Sequence, residues 1–497
     1  MTNVPNKASH TPSQQSAASP VDPALAGLQP EAMWRHFGNL ARIPRETGNE
    51  AGVRAYVEAF AAERGFACEH NEVGDVLLRV KPDAKGPVVG LQAHMDMVCV
   101  AAPGVVFDFA RDPIRLKREG DIIRADGTSL GADNGIGVAY ALALAEEAAG
   151  PIEVLLTVDE EKGFTGIEGV AAGWLRAKVL INIDSEEEGF LTIASAGARD
   201  FAVQSAAERE TAAAGLTRLA VTVQGLKGGH SGVEIHRGRT NALRVMGEAL
   251  AAVRACGGVV FGLQGGTAPN VIPSASTGTV GLPPARVEEL RGRLAKLQKS
   301  LSTTEDPALA IDLGAVQEDR RPLTARAADR LLSLVRELPT GVLVPSPRDP
   351  AQPFVSNNLA MVKELPEDGF CLTMMSRSPS SKELEKLEDR YRDIAQKNGA
   401  GMTAGRLVPG WAPDYESPLL ARFQRAYREM YRKEAKLLEI HAGLECGALQ
   451  SKYPGMDLIS IGPDITGVHS PAETVSAESA RRTFDLVRAV IRELHQP

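Results

Sequence analysis

Seven side chains in this sequence are of types that hold cations and move protons: His94, Asp96, Asp133, Glu160, Glu161, Asp184 and His469. Most follow apolar runs. His94-Met95-Asp96 ends Pro87–Ala93, Asp159-Glu160-Glu161 ends Ile152–Val158, and Asp184-Ser185-Glu186-Glu187 ends Val179–Ile183. Short continuous apolar runs closed by polar clusters are the pattern of strands buried on both faces. In open α/β sheets chemistry gathers beyond the carboxyl ends of the strands, so three such ends in His or carboxylates point to one shared rim. Taken singly, each residue has a plainer reading: His94 as a hydrogen-bonded core histidine, Glu160 and Glu161 as solvated loop charges, His469 and His441 as loop residues.

Imidazole and carboxylate donors without thiolates suit Zn²⁺, with Mn²⁺ or Co²⁺ as substitutes. Seven candidates exceed the needs of one tetrahedral ion, and two ions roughly 3.5–4 Å apart can share a bridging carboxylate. Asp133 is the candidate bridge. It stands in Gly131-Ala132-Asp133-Asn134-Gly135-Ile136-Gly137 at the start of a helical stretch. A helix N-terminus favours an acidic residue, yet each Gly costs roughly 1 kcal/mol relative to Ala in a helix. A Gly-rich strand-to-helix turn with a capping Asp would read the same way; close approach of backbone to cations is the reading that uses the glycines.

A rim of this kind needs a large sheet beneath it, and 497 residues, 43% hydrophobic and 24% charged, leave room for two or more domains. Lys+Arg 55 against Asp+Glu 63 gives a net charge of −8 without a dense basic run, which excludes nucleic acid and anionic membrane as expected partners. Five cysteines without C-x-x-C spacing predict neither a disulfide framework nor a thiolate zinc site, and a reducing, cytoplasmic setting. Residues 1–29, rich in Ser, Ala, Pro, Gln and Asn, are expected to be a disordered leader. They have no apolar core of signal-peptide length, and no later run reaches membrane-spanning length.

Helices are predicted at Glu31–Ala41, Glu50–Arg64 and Ile136–Ala149, with a strand at Val76–Val80 beside the three runs above. The fold class is therefore α/β, with a mostly parallel central sheet. After Gly197 the texture changes. A strand at Leu219–Val223 alternates, helices are predicted at Thr240–Ala255, Val287–Ser300 and Lys382–Asn398, and Gly265–Pro284 and Pro339–Pro353 read as loops. The earlier style resumes near Pro409-Gly410-Trp411, with a helix at Ser417–Arg432, a strand at Leu458–Ile461 and a last helix at Ser476–Leu494. The expected plan is a catalytic domain in two parts, 30–197 and 411–497, around an inserted α/β lid domain at 198–410.

The segments H-M-D, G-A-D-N-G, D-E-E-K-G-F-T-G, I-D-S-E-E, G-L-K-G-G-H-S-G and G-V-H-S-P-A-E occur in this order. In type and order they resemble the di-zinc exopeptidases that include carnosinase, bacterial tripeptidase and aminoacylase, over nearly the whole chain after Pro30. Within that family the Asn of G-A-D-N-G, A-S-A-G at Ala194–Gly197 and H-A-G-L-E-C-G are most similar to the aminoacyl-histidine dipeptidases. The resemblance implies two zinc ions per subunit, His94 and Asp184 on one, Glu161 and His469 on the other, with Asp133 spanning both. It further implies a cis peptide between Asp133 and Asn134 and a homodimer formed through the lid domain. Asp96 would then orient His94, and Glu160 would take a proton from the attacking water and return it to the leaving amine.

His230, in Gly228-Gly229-His230-Ser231-Gly232, is the candidate donor to the oxyanion, from its own chain or from the dimer mate. Asn241, Asn357 and Arg377 are candidates to clasp the C-terminal carboxylate of a dipeptide, Arg through its bidentate fork, and Glu445 to face the substrate amine. The expected activity is metal-dependent hydrolysis of dipeptides, Xaa-His for preference. The alternatives are an aminotripeptidase, an N-acyl-amino-acid deacylase, or a non-catalytic metal- or peptide-binding protein. A binder has no use for an unligated base beside its metal, so the Glu160-Glu161 pair argues against the last. An NAD-type module is disfavoured because no G-x-G-x-x-G opens a helix after a first strand.

Overall fold

The computed structural model describes residues 21–366 and 369–496. The expected leader, 1–29, lies outside them up to residue 20. Its remainder is ordered: Pro23–Leu25 forms a short 3-10 turn capped by Asp22, and Leu25 is fully buried.

The chain divides into two compact units. One runs to Ala194 and takes in Pro413–Glu439 and Leu444–Pro497; the other holds Ser195–Ala412 and Ile440–Gly443. The second unit thus departs from the expected insertion, 198–410, by a few residues at each end and by the excursion Ile440–Gly443. Backbone pairing explains both differences. Ser195 and Trp411 exchange N–H···O bonds, and the amide of Ala196 donates to Ile440 O at 3.0 Å.

Among the described residues the first unit carries an eight-stranded sheet. Its order is Ala67–His70, Val76–Val80, Ile152–Thr157, Val89–His94, Val179–Asn182, Asp457–Ser460, Phe190–Ser195, Lys436–Ile440. The middle strands, from Ile152–Thr157 to Asp457–Ser460, pair in parallel, whereas Val76–Val80 pairs antiparallel with both its neighbours and Phe190–Ser195 pairs antiparallel with Asp457–Ser460. The sheet is mixed, a correction to the mostly parallel expectation. The cause is connection length: residues 71–75 and 183–189 are too few for a crossover, which needs a dozen or more.

The crossover between Val89–His94 and Ile152–Thr157 is the helix Ala132–Glu146. It is apolar all round, with Ile136, Val138, Tyr140, Leu142 and Leu144 all buried, as a helix enclosed on every side must be. Trp34, Phe37, Phe60, Tyr140 and Phe484 lie in the core of this unit. A small antiparallel sheet of Leu116–Glu119, Ile122–Ala125, Ile465–Thr466 and Thr474–Ser476 holds the loop that presents His469.

The second unit is built, among the described residues, on a nine-stranded antiparallel sheet. Its order is Ala310–Ala315, Thr217–Gln224, Ser276–Leu282, Val259–Gly265, Pro353–Leu365, Gly369–Ser378, Gly197–Ala206, Gly401–Val408, and Gly341–Pro345 pairs with Pro353–Leu365. Helices Ala242–Ala255, Val287–Leu301, Ala325–Glu337 and Ser381–Lys397 supply its other layer, with Val221, Met246, Leu250, Leu334, Phe370 and Tyr391 in the core. Two segments expected as loops contain strands, Ser276–Leu282 and Gly341–Pro345. Gly278 is in the first because the helix above leaves no space: a Cβ there would lie 3.0 Å from Leu250 Cδ2 and Met246 Sδ. Among the described residues no helix is long and apolar enough to cross a membrane.

Candidate metal centre

His94 ends the strand Val89–His94 and is fully buried. Its Nε2 lies 3.1 Å from Asp133 Oδ1 and 3.3 Å from Asp184 Oδ1. On the other side, Asp133 Oδ2 lies 3.2 Å from Nε2 of His469, which is 2.9 Å from Glu161 Oε2. One donor atom from each of His94, Asp133 and Glu161 falls within 4.8 Å of the others. The two oxygens of Asp133 therefore face two different imidazoles, each accompanied by a further carboxylate.

Local backbone aims Asp133. Gly131 adopts φ 70°, the Asp133–Asn134 peptide is cis, and Asp133 leaves the helical region at φ −80°, ψ 107°. A Cβ on Gly131 would collide with Arg45 and Met97 Sδ, so the position needs glycine for space as well as for its left-handed φ. Because Gly131 has no side chain to cap the helix, the amides of its first turn need an acceptor from elsewhere. Glu473 provides it, accepting from Leu130 at 2.7 Å, Gly131 at 2.9 Å, Ala132 at 2.7 Å and Asp133 at 3.2 Å. Arg45 donates to Met95 O, Asp96 O and Gly131 O, and both Arg45 and Glu473 are buried.

Sequence reasoning assigned no role to either residue. For Glu473 a signal was present, an acidic residue four places after His469 and a helix start without a cap of its own. Arg45 had no such mark.

Asp96 accepts from the amides of Glu160 and Glu161, each at 3.2 Å, and from Thr47 Oγ1 at 2.9 Å, and its Oδ1 lies 3.3 Å from His94 Nδ1. Burial would raise its pKa, but His94 and the two amides bring it down to about 2. Burial likewise works against a charged His94, and Asp184, Asp133 and Asp96 outweigh it to hold the imidazole well above its ordinary value. Burial, with Asp133 and Glu161 adding to it, pushes Asp184 up to about 6. Hydrogen bonds to Asp133 and Glu161 lift His469 to about 10. Glu160 Oε2 is 3.9 Å from His94 Nε2. Burial first, then Asp184, Glu445 and Glu161, drive Glu160 well above the usual carboxylate range. Glu161 Oε1 is buried without a hydrogen-bond partner among the described residues. Buried carboxylates crowded against one another favour either protons or cations, and this nitrogen-and-oxygen donor set, with an orphaned oxygen, fits a pair of divalent ions.

Glu445 belongs to the first unit, at the start of the helix Glu445–Lys452. It is fully buried, and its Oε2 accepts from Thr157 Oγ1 at 2.7 Å and from Gln92 Nε2. It is enclosed on all sides, and its Oε1 has no hydrogen-bond partner among the described residues.

In the second unit, His230 pairs through Gly229–His230 with Val271–Ile272 and is half-buried. Its Nδ1 accepts from the amides of Gly232 at 3.2 Å and Val233 at 3.3 Å. Burial and then Arg377 hold its pKa down, which leaves a neutral ring with its proton on Nε2. Arg377 is itself buried, its Nε has no partner among the described residues, and burial brings its pKa down to about 10. Asn241 and Asn357 are committed elsewhere. Asn241 caps the helix Ala242–Ala255 through Oδ1 and donates to Leu359 O, while Asn357 donates to Pro339 O and accepts from Ser376. Asn241 Nδ2 also meets Thr340 Oγ1 at 3.3 Å, which engages both of its amide hydrogens, whereas Asn357 Nδ2 has the one bond, and both side chains are buried. His441 bonds Ser356 Oγ through Nε2 at 2.7 Å, and burial, then Arg377 and His236, push it down to about 3.

Peptidase family M20/M25/M40 matches the chain over residues 90–493. The cytosol non-specific dipeptidase of Escherichia coli (strain K12) is 36% identical over 483 residues, 95% of this chain and 99% of that protein. The crystal structure of aminoacylhistidine dipeptidase from Vibrio alginolyticus has TM-score 0.87 at 32% identity, covering 95% of this chain and 98% of that one. An aminopeptidase structure from Bacillus cereus, TM-score 0.54 at 16% identity over 94% of this chain and 100% of that one, shares the fold.

Proposed function

The chain belongs to peptidase family M20/M25/M40, and from that premise we propose that it is a dipeptidase working with two divalent cations and preferring Xaa-His dipeptides. Zinc is the proposed metal, with cobalt or manganese as substitutes. The observation that carries the reading is Asp133, whose two oxygens face His94 and His469 separately. Two relatives named as dipeptidases, matched over nearly all of both chains, support the substrate class. The name of the Escherichia coli relative and five unpaired cysteines support a cytoplasmic setting, and we assign a homodimer joined through the second unit.

His94, Asp133 and Asp184 would hold one ion, and Asp133, Glu161 and His469 the other. Such a pair supplies a Lewis acid for the scissile carbonyl and lowers the pKa of water. Asp96 fixes the His94 ring, as outer carboxylates do for ligating histidines. Glu160 takes the proton of the attacking water as the new C–O bond forms, and passes it to the amide nitrogen as the C–N bond breaks. His230, neutral with Nε2–H free to donate, is assigned to the oxyanion, and Arg377 to the substrate's C-terminal carboxylate.

The test is turnover of β-Ala-His, Gly-His, Ala-Ala, triglycine and an acetylated amino acid before and after chelation, with metal add-back. Metal-dependent cleavage favouring the Xaa-His substrates is expected. Cleavage of triglycine alone, or of the acetylated amino acid alone, would overturn the substrate assignment. No turnover by protein that holds two ions would favour a binding protein.

A further inference from the structure

Gln92, Thr157, Asn182 and Glu445 take no part in the steps above, yet all four are fully buried in the first unit. Three of them stand at the carboxyl ends of neighbouring strands. Gln92 is two residues before His94, Thr157 ends Ile152–Thr157 just before Glu160 and Glu161, and Asn182 ends Val179–Asn182 two residues before Asp184. The strands bearing them are parallel neighbours, with Val89–His94 in the middle. Apolar side chains would pack a parallel sheet at no polar cost, whereas buried polar groups must find partners, so four in one place need a reason.

Their hydrogen bonds supply one. Thr157 Oγ1 donates to Glu445 Oε2 at 2.7 Å, Gln92 Nε2 donates to the same oxygen, and Asn182 Nδ2 donates to Gln92 Oε1. Gln92 Nε2 also lies 3.3 Å from Thr157 Oγ1. The result is a continuous chain, Thr157–Glu445–Gln92–Asn182, running across the three strands whose ends carry Glu160 and Glu161, His94 and Asp184. Glu445 enters this chain from a helix and not from the sheet. It is fully buried, its Oε1 has no hydrogen-bond partner among the described residues, and Oε2 is its link to the strand ends.

We propose that Glu445 is a positioning residue of the metal centre, which through Gln92, Thr157 and Asn182 ties three strand ends together at the separation that two cations require. The proposal rests on the two-cation reading. Without the carboxyl, Thr157 and Gln92 lose their shared acceptor and the strand ends lose their lateral link. Metal sites tolerate donor displacements of only about 0.2 Å, and groups that orient ligands from behind are worth about 10–100-fold in metal affinity.

The experiment is competition for Zn²⁺ with a chromophoric chelator, on wild type, Glu445→Ala, Glu445→Gln and Gln92→Leu, with the thermal midpoint of each metal-free protein measured alongside. Glu445→Ala and Gln92→Leu are each expected to weaken zinc binding about 10–100-fold. Glu445→Gln, which keeps an acceptor oxygen for Thr157 and Gln92, is expected to stay within about threefold of wild type, less than the loss that orienting groups cause. The double variant Glu445→Ala/Gln92→Leu should lose little beyond either single one, because both break the same chain.

Wild type that binds no zinc would overturn the two-cation reading itself. Wild type that binds two ions while Glu445→Ala binds equally well would overturn the positioning role alone, as would Glu445→Gln as weak as Glu445→Ala, or fully additive losses. Should Glu445→Ala fail to fold, Glu445→Gln and Gln92→Leu decide the question in the same terms.

Discussion

Glu160 and Glu161 are adjacent and chemically identical, and their surroundings separate them. Glu161 meets His469 at 2.9 Å, whereas the nearest ion-pair partner of the Glu160 carboxylate is His94 Nε2 at 3.9 Å. A residue bound to nothing can move a proton; a residue that grips an ion cannot. Glu160→Gln should therefore retain both cations and lose about 10²–10⁴ in turnover, the range that general acid–base groups contribute. Bound zinc and kcat on β-Ala-His check this together, and turnover near wild type would remove Glu160 from the mechanism. At this scale residues of one motif meet one another, as with Asp96 Oδ1 3.3 Å from His94 Nδ1, while the bonds of Asp96 to the amides of Glu160 and Glu161 join two motifs and carry no mark in the sequence. The sequence is silent on burial, which depends on partners from elsewhere in the chain. Asn241 and Asn357 are buried with amide hydrogens on Leu359 O and Pro339 O, and Glu445 is buried with one oxygen on Thr157 and Gln92.

The helix Ala132–Glu146 shows why element ends matter more than element middles for this site. Its apolar body was legible from composition, since thirteen of its residues are buried, but its first turn is stabilised by Glu473, some 340 residues away. Four buried amides converge on that one carboxylate, and Arg45 adds the compensating charge behind it. Removing one member of such a buried arrangement leaves the rest uncompensated, at a cost of about 3–5 kcal/mol. Glu473→Ala is expected to lower stability by that amount in denaturant unfolding and to weaken zinc binding, because Asp133 lies in the turn that loosens. Stability equal to wild type would mean that water replaces the carboxylate without cost to the turn. The strands that escaped sequence reading have the opposite character. In Ser276–Leu282, Gly278 beneath Met246 and Leu250 and Gly281 against Phe261 and Val259 erase the alternation by which a strand is recognised. Helices with long periodic faces, such as Ala51–Arg64 and Ala477–Leu494, keep that signal and were legible to within a residue or two.

At the scale of the molecule, each unit encloses its own apolar cluster, one around Trp34, Tyr140 and Phe484 and one around Leu250, Phe370 and Tyr391. The candidate metal residues all belong to the first unit. The return of Ile440–Gly443 to the second unit has no mark in the sequence, because four residues are too few to shift composition. Two cores imply two cooperative transitions, since multidomain chains depart from all-or-none unfolding. A ligand stabilises only what binds it, by about 4 kcal/mol when present at a thousand times its Kd, or about 10 °C for a domain of this size. Calorimetry with and without chelator should therefore show two transitions, of which metal removal lowers one and leaves the other in place. Limited proteolysis at intermediate temperature should then show Ser195–Ala412 surviving in the chelated protein. A single transition that moves as a whole on chelation would show that the two cores unfold as one, and the metal centre would then stabilise the entire chain and not only the unit that houses it.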